Sequence, residues 1–226
     1  MGIKNHMKTV DKMHFIQKLT DEKIENTKIF CIGYNKTGTT SLTEFFKQNG
    51  YSIAPQIPFE CNLNSYFSKN YSTFIDMIKE DYYENTFFQD VPFSLPNFYK
   101  SLDTEFENAK FILTVRNDEN QWYESLIRFH KQEFNNLQEP HNIKYVYQGW
   151  LTKTLNKAYG SPKYDSYNPQ ILKQSYINHI ENVTEYFLKT NKLLILNLEI
   201  DKVSKLENFI GVKFNSDKFP KINTSQ

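Results

Sequence analysis

The chain has 226 residues, with 27 Lys plus Arg against 26 Asp plus Glu and a formal net charge of +1. This length predicts a single domain that buries about 70% of its unfolded surface and folds without disulfides or a structural metal. The balanced charge excludes a general nucleic-acid binder, two cysteines (Cys31 and Cys61) exclude a disulfide scaffold or a four-cysteine zinc site, and 39% hydrophobic content with 16% aromatics excludes disorder.

Residues 1–26 read as an N-terminal extension ahead of a domain over 27–226. The extension is polar and mixed in charge, without the apolar core of a signal peptide. No run in the chain approaches the ~18 apolar residues of a membrane span. A soluble, cytoplasmic setting is therefore expected. Asp11 to Leu19 has the pattern of a short helix packed on the main body.

Lys28-Ile29-Phe30-Cys31-Ile32-Gly33 is an apolar run ended by Gly, as in a buried strand. Leu42, Phe45 and Phe46 then recur at helical spacing within Thr39 to Gln48, and Asn49-Gly50 is the stop signal. Tyr51 to Ala54 predicts a second, short strand. Leu63, Phe67, Tyr71, Phe74, Ile75 and Ile78 predict one helix face. Thr86 to Gln89 predicts a strand stopped by Asp90-Val91-Pro92. Lys110 to Val115 is a continuous β-branched and aromatic run, the pattern of a strand buried on both faces. Helices are predicted from Glu119 to Phe134, Ile143 to Lys157 and Pro169 to Lys189. The strand Lys192 to Leu196 follows, and then a short helix from Val203 to Ile210 that ends at Gly211.

Alternating strands and helices predict a three-layer α/β/α fold with a central parallel sheet, P-loop NTPase-like. Ligands of such sheets sit at the carboxyl ends of the strands. Attention therefore falls on Gly33, Asp90, Val115 and Leu196.

At the first of these ends, Gly33 and Gly38 flank four residues, as in a nucleotide-binding loop. Such a loop turns backbone N–H groups inward and aims a helix N-terminus at an anion. Asn35 lies in it, Lys36 adds a cation, and Thr37, Thr39, Thr40 and Ser41 add hydroxyls. The ATPase version needs Lys directly after the second Gly, where this chain has Thr39. An ordinary Gly turn with a Thr or Ser cap is the plainer alternative.

Lys36-Thr37-Gly38-Thr39-Thr40-Ser41 closely resembles the 5′-phosphosulfate loop of sulfotransferases that use 3′-phosphoadenylyl sulfate (PAPS). Lys110 to Asn117, with Trp122-Tyr123-Glu124-Ser125, resembles the 3′-phosphate site of the same family. Phe219-Pro220-Lys221-Ile222-Asn223 is similar to a C-terminal motif of one soluble branch. The resemblance implies a PAPS-dependent sulfotransferase whose Arg116 and Ser125 hold the 3′-phosphate, with no metal required. One residue more than the common spacing separates these two.

Arg116 directly follows an apolar strand, so it belongs at the sheet's carboxyl edge. Its planar fork matches phosphate in a bidentate way. Its plainer role is an ion pair with Asp118 or Glu119. Lys36 suits charge stabilisation on the leaving phosphate. Asp90 is the preferred general base, with a turn-forming role before Val91-Pro92 as the alternative. His130 and His141 are weaker candidates, and Glu60 and Glu199 receive no role. Trp122 either approaches the nucleotide or packs on the sheet. The acceptor is a small molecule, lipid or glycan. Nucleic acid is not expected as a partner, and the oligomeric state is not readable. Two rival readings use the same scaffold: a nucleotide or small-molecule kinase, and a catalytically silent nucleotide-binding relative.

Overall fold

The computed structural model describes residues 27–134, 137 and 140–222; the expected helix from Asp11 to Leu19, and Asn223, lie outside them. Strands β1 (Ile29–Cys31), β2 (Phe87–Phe88), β3 (Lys110–Thr114) and β4 (Leu193–Leu196) form a parallel sheet in the order β2-β1-β3-β4. Phe30 pairs with Phe88 on one side and Phe111 on the other, and Ile112 pairs with Leu194.

Side chains alternate across the sheet, so each short apolar run feeds two cores. Ile29, Cys31, Phe87, Ile112 and Leu196 face one side. Helix α1 (Thr39–Gln48) covers that side with Leu42, Phe45 and Phe46. Phe30, Phe88, Phe111 and Leu113 face the other side, under a thicker helical layer. The rings of Phe88, Phe93, Phe106 and Phe111 lie 5.2–5.8 Å from that of Phe30. The result is the expected three-layer α/β arrangement.

The segment after α1 departs from expectation. Tyr51 to Ala54 makes only an isolated bridge, Ile53 to Phe87. Ala54 N–H still donates to the Phe87 carbonyl (2.9 Å), but Pro55 follows and has no N–H to extend the ladder. The single helix expected around Leu63 to Ile78 is broken. A helix not foreseen, α2 (Gln56–Cys61), precedes the stretch, and α3 (Leu63–Phe67) and α4 (Ser72–Glu80) replace the expected helix. Lys69 takes a left-handed conformation (φ 59°), its N–H donates to the Tyr66 carbonyl, and Asn70 N–H donates to the Ser65 carbonyl. That is a Schellman stop with Lys where Gly is usual, so composition did not signal it. Leu63, Tyr66, Phe74, Ile75 and Ile78 are buried all the same. The periodicity identified the buried face but not the break.

Helix α5 (Phe98–Glu105) was not foreseen. Helix α6 spans Glu119–Phe134. Helix α7 (Trp150–Tyr159) starts later than its pattern suggested, because Gly149 (φ 78°) bends the chain just before it. Helix α8 (Pro169–Phe187) has Asn168 as its N-cap, and Asn168 Oδ1 accepts from Ile171 N–H at 3.0 Å. Helix α9 (Val203–Ile210) ends on left-handed Gly211 and joins α1 on the thinner side of the sheet through Val203, Leu206 and Ile210. No described helix is long and apolar enough to cross a membrane.

Candidate active site

Loop 33–38 leaves β1 under tight steric control. A Cβ on Gly33 would lie 2.1 Å from Thr114 Oγ1, so β1 and β3 approach closely here only because position 33 has no side chain. The next carbonyls are each taken by a side chain. Thr37 Oγ1 donates to the Tyr34 carbonyl (2.5 Å), Trp122 Nε1 to that of Asn35 (3.0 Å), and Arg116 Nε to that of Lys36 (2.8 Å). With these carbonyls tied back, Gly38 (φ 99°) turns the chain into α1. The first helical bond there is Leu42 N–H to the Gly38 carbonyl (3.0 Å). The N–H groups of Thr39, Thr40 and Ser41 therefore have no acceptor inside the helix, and they form its partially positive end.

Thr37 turns its side chain away from the loop's open face. Its hydroxyl is not offered to a ligand: the residue is fully buried, and Oγ1 also contacts Thr114 Oγ1 at 2.6 Å. Trp122 is fully buried as well. It stacks on Tyr176 (ring centroids 4.8 Å apart) and reaches the site only through its hold on the loop.

A cavity of about 300 Å³ opens beside the loop. Asn35, Lys36, Gly38, Thr39, Thr40 and Ser41 line it, and so do Asp90 after β2, Arg116 after β3 and Ser125 on α6. The parallel sheet explains this convergence, since all its strands end on one edge. The C-terminal tail returns to the same place. Phe219 packs on Phe45 (5.0 Å), and Ile222 N–H donates to Ser41 Oγ (3.2 Å). A larger cleft of about 620 Å³, bordered by Tyr99, Asn178 and His179, includes neither Lys36, Asp90 nor Arg116.

Lys36 and Asp90 both hold left-handed backbone angles (φ 69° and 63°), which are uncommon outside Gly and cost of order 1–3 kcal/mol each. Lys36 Nζ stands 3.4 Å from the centre of the Phe129 ring. Burial lowers the Lys36 pKa, and the Asp90 charge opposes that shift. Burial raises the Asp90 pKa. The Val91 N–H, which donates to Asp90 Oδ1 at 2.8 Å, and Lys36 both pull it back.

The cavity also holds two groups of different promise. Glu60 is 3% exposed and accepts from Gln56 Nε2 at 2.6 Å. Burial pushes its pKa up to about 7, with the Asp90 charge adding to the rise. Sequence reasoning gave Glu60 no role; the i,i+4 pair Gln56–Glu60 was the available signal. His130 lines the cavity too, with Nδ1 3.0 Å from Tyr167 Oη. Burial and then Lys36 hold its pKa down to about 3, so it is neutral and a poor proton acceptor near pH 7. His141 is exposed on a short turn and does not line the cavity.

Arg116 makes neither of the ion pairs considered from the sequence. Its Nη1 pairs with Glu199 in the loop after β4. Asp118 instead caps α6, accepting from Gln121 N–H at 2.8 Å.

A family model described as "Sulfotransferase domain" matches residues 28–226, and the chain belongs to that family. No curated protein matches the chain. Among the described residues, no group of three or more His, Cys, Asp or Glu is arranged to hold a metal ion.

Proposed function

We propose that the protein moves the sulfuryl group of PAPS to a hydroxyl or amine of a small acceptor, releasing adenosine 3′,5′-bisphosphate (PAP). The observation that carries this reading is the meeting of Lys36, Asp90, Arg116 and the start of α1 around one cavity. The two cationic side chains stand on different strand ends, as two separate phosphates on one ribose require.

In this reading the N–H groups of Thr39, Thr40 and Ser41 hold the 5′-phosphate, and Arg116 with Ser125 holds the 3′-phosphate. The S–O bond to the 5′-phosphate breaks while a new bond forms to the acceptor atom. Lys36 offsets the charge that develops on the departing phosphate oxygen. The acceptor proton passes to a carboxylate. Asp90 is charge-coupled to Lys36, which favours it for that step. Glu60 lines the same cavity, and the Asp90 charge adds to the burial that raises its pKa. The aromatic wall formed by Phe129, Tyr145 and Trp150 suits an acceptor with an apolar face.

The experiment is an acceptor panel of phenols, amines, lipids and sugars with sulfur-labelled PAPS, scored for labelled product and released PAP. Label in a product, with equal PAP, is expected. Phosphoryl transfer from ATP–Mg²⁺ to the same panel, with none from PAPS, would move the assignment to a kinase. Tight PAP binding without turnover on any acceptor would favour a silent nucleotide-binding relative.

A further inference from the structure

Glu199 has no part in the chemistry above, yet its carboxylate is held as a bound anion would be. Arg116 Nη1 forms an ion pair with Oε1. Gln121 Nε2 donates to Oε2 at 2.9 Å, and Asn117 Nδ2 approaches the same oxygen at 3.4 Å. Arg116 and Asn117 lie between β3 and α6 and Gln121 in the first turn of α6, the stretch that also carries the expected 3′-phosphate ligands Arg116 and Ser125. Glu199 itself comes from a different strand end. Its N–H donates to Asn197 Oδ1 (3.0 Å), and Asn197 Nδ2 donates to Asn117 Oδ1 (2.9 Å). The loop is thus tied in place from both sides, and its Leu198 lies against Gly38 of the phosphate loop. Carboxylate and phosphate present the same bidentate face to a guanidinium.

We infer that Glu199 is an internal stand-in for the 3′-phosphate, which fills that subsite in the nucleotide-free enzyme and yields it to the donor. The inference rests on the reading of Arg116 as the 3′-phosphate ligand. Three physical points support it. Arg116 has committed Nε to the Lys36 carbonyl and Nη1 to Glu199, so a 3′-phosphate that grips the Nη1–Nη2 edge in a bidentate way must displace the Glu199 carboxylate or sit against its charge. A phosphate dianion carries more charge and more acceptor oxygens than a carboxylate, so it wins the exchange. The Glu199 side chain is 40% exposed and can move into water without burying a charge.

The exchange tempers what the 3′-phosphate contributes to binding, so the preference for PAP over AMP is narrower with Glu199 than without it. A nucleotide without a 3′-phosphate has nothing with which to displace Glu199, so the subsite remains filled by the protein's own anion.

The test is calorimetric titration of the full chain with PAP and with AMP, using the wild type, Glu199→Gln, Glu199→Ala and Arg116→Ala. Removing the competing charge should tighten PAP about two- to fivefold, the range that a partly exposed ion pair commonly contributes. AMP affinity should not change. Glu199→Ala, which removes the acceptor altogether, should tighten PAP at least as much as Glu199→Gln. Thermal midpoints confirm that both variants are folded. PAP binding that is weaker or unchanged in both Glu199 variants would overturn the inference, since a residue that merely positions Arg116 predicts weakening. Arg116→Ala reports on the underlying reading separately. If it keeps the wild-type preference for PAP over AMP, Arg116 is not the 3′-phosphate ligand, and both assignments fall. If the preference collapses while the Glu199 variants fail to tighten PAP, only the stand-in role is lost.

Discussion

Glu60 gives the protein a pH-dependent stability whose sign follows from its burial. Its carboxyl is 3% exposed, and its pKa rises from 4.5 to about 7 on folding. Between these values the folded chain binds more protons than the unfolded chain, so stability falls as pH rises. The penalty is absent below about pH 4.5 and complete above about pH 7. At about 1.4 kcal/mol per pH unit, this shift costs at most about 3 kcal/mol. Glu60→Gln keeps an oxygen for Gln56 Nε2 and removes the charge. The variant should match the wild type at pH 4.5 and exceed it at pH 8 by up to about 3 kcal/mol. For a chain of this size, that corresponds to roughly 6–12 °C in thermal midpoint. Urea denaturation at the two pH values measures the difference directly. A gap of the same size at both, or a variant less stable at pH 8, would refute the argument that burial of this carboxylate is what shifts it.

Three further outcomes follow from the site. Lys36→Ala should lower turnover about 10²- to 10³-fold and weaken PAP binding far less, because charge on the departing phosphate develops mainly in the transition state; steady-state rates set beside calorimetric affinities check this, and near-normal turnover would remove Lys36 from the chemistry. Sulfuryl transfer from PAPS should survive EDTA, since this donor has no β/γ-phosphate bridge for Mg²⁺ to neutralise; loss on chelation with recovery on adding Mg²⁺ would contradict the donor assignment. Gly33→Ala should destabilise the fold by about 1–3 kcal/mol or more, because its Cβ would meet Thr114 at 2.1 Å; an unchanged urea midpoint would show that β1 and β3 can separate at no cost.

Local pattern alone was enough for much of this molecule. The bounds of α1, α6 and α9 agree with their sequence readings. Each has a helical apolar stripe, and α1 and α9 end at Asn49-Gly50 and Gly211. The strands were legible as short apolar runs, because a parallel sheet covered on both faces requires them. Once strands were located, Lys36, Asp90 and Arg116 could be placed on one edge, since parallel strands all finish there.

Other features depended on contacts between segments distant in sequence. Trp122 reaches Asn35 across 87 positions and Arg116 reaches Glu199 across 83, and no period of 2 or 3.6 residues encodes such partners. Thr37 looked like its hydroxyl neighbours until Thr114 was found beside it. Lys69 ended a helix by adopting a backbone angle that its residue type does not favour. Glu60 was one acidic residue among many until α2 folded its carboxylate into the cavity and burial changed its chemistry. Sequence periodicity specifies which face of an element turns inward. Which side chain it meets there, and hence its hydrogen bonds, charge state and reactivity, is set only when the layers pack.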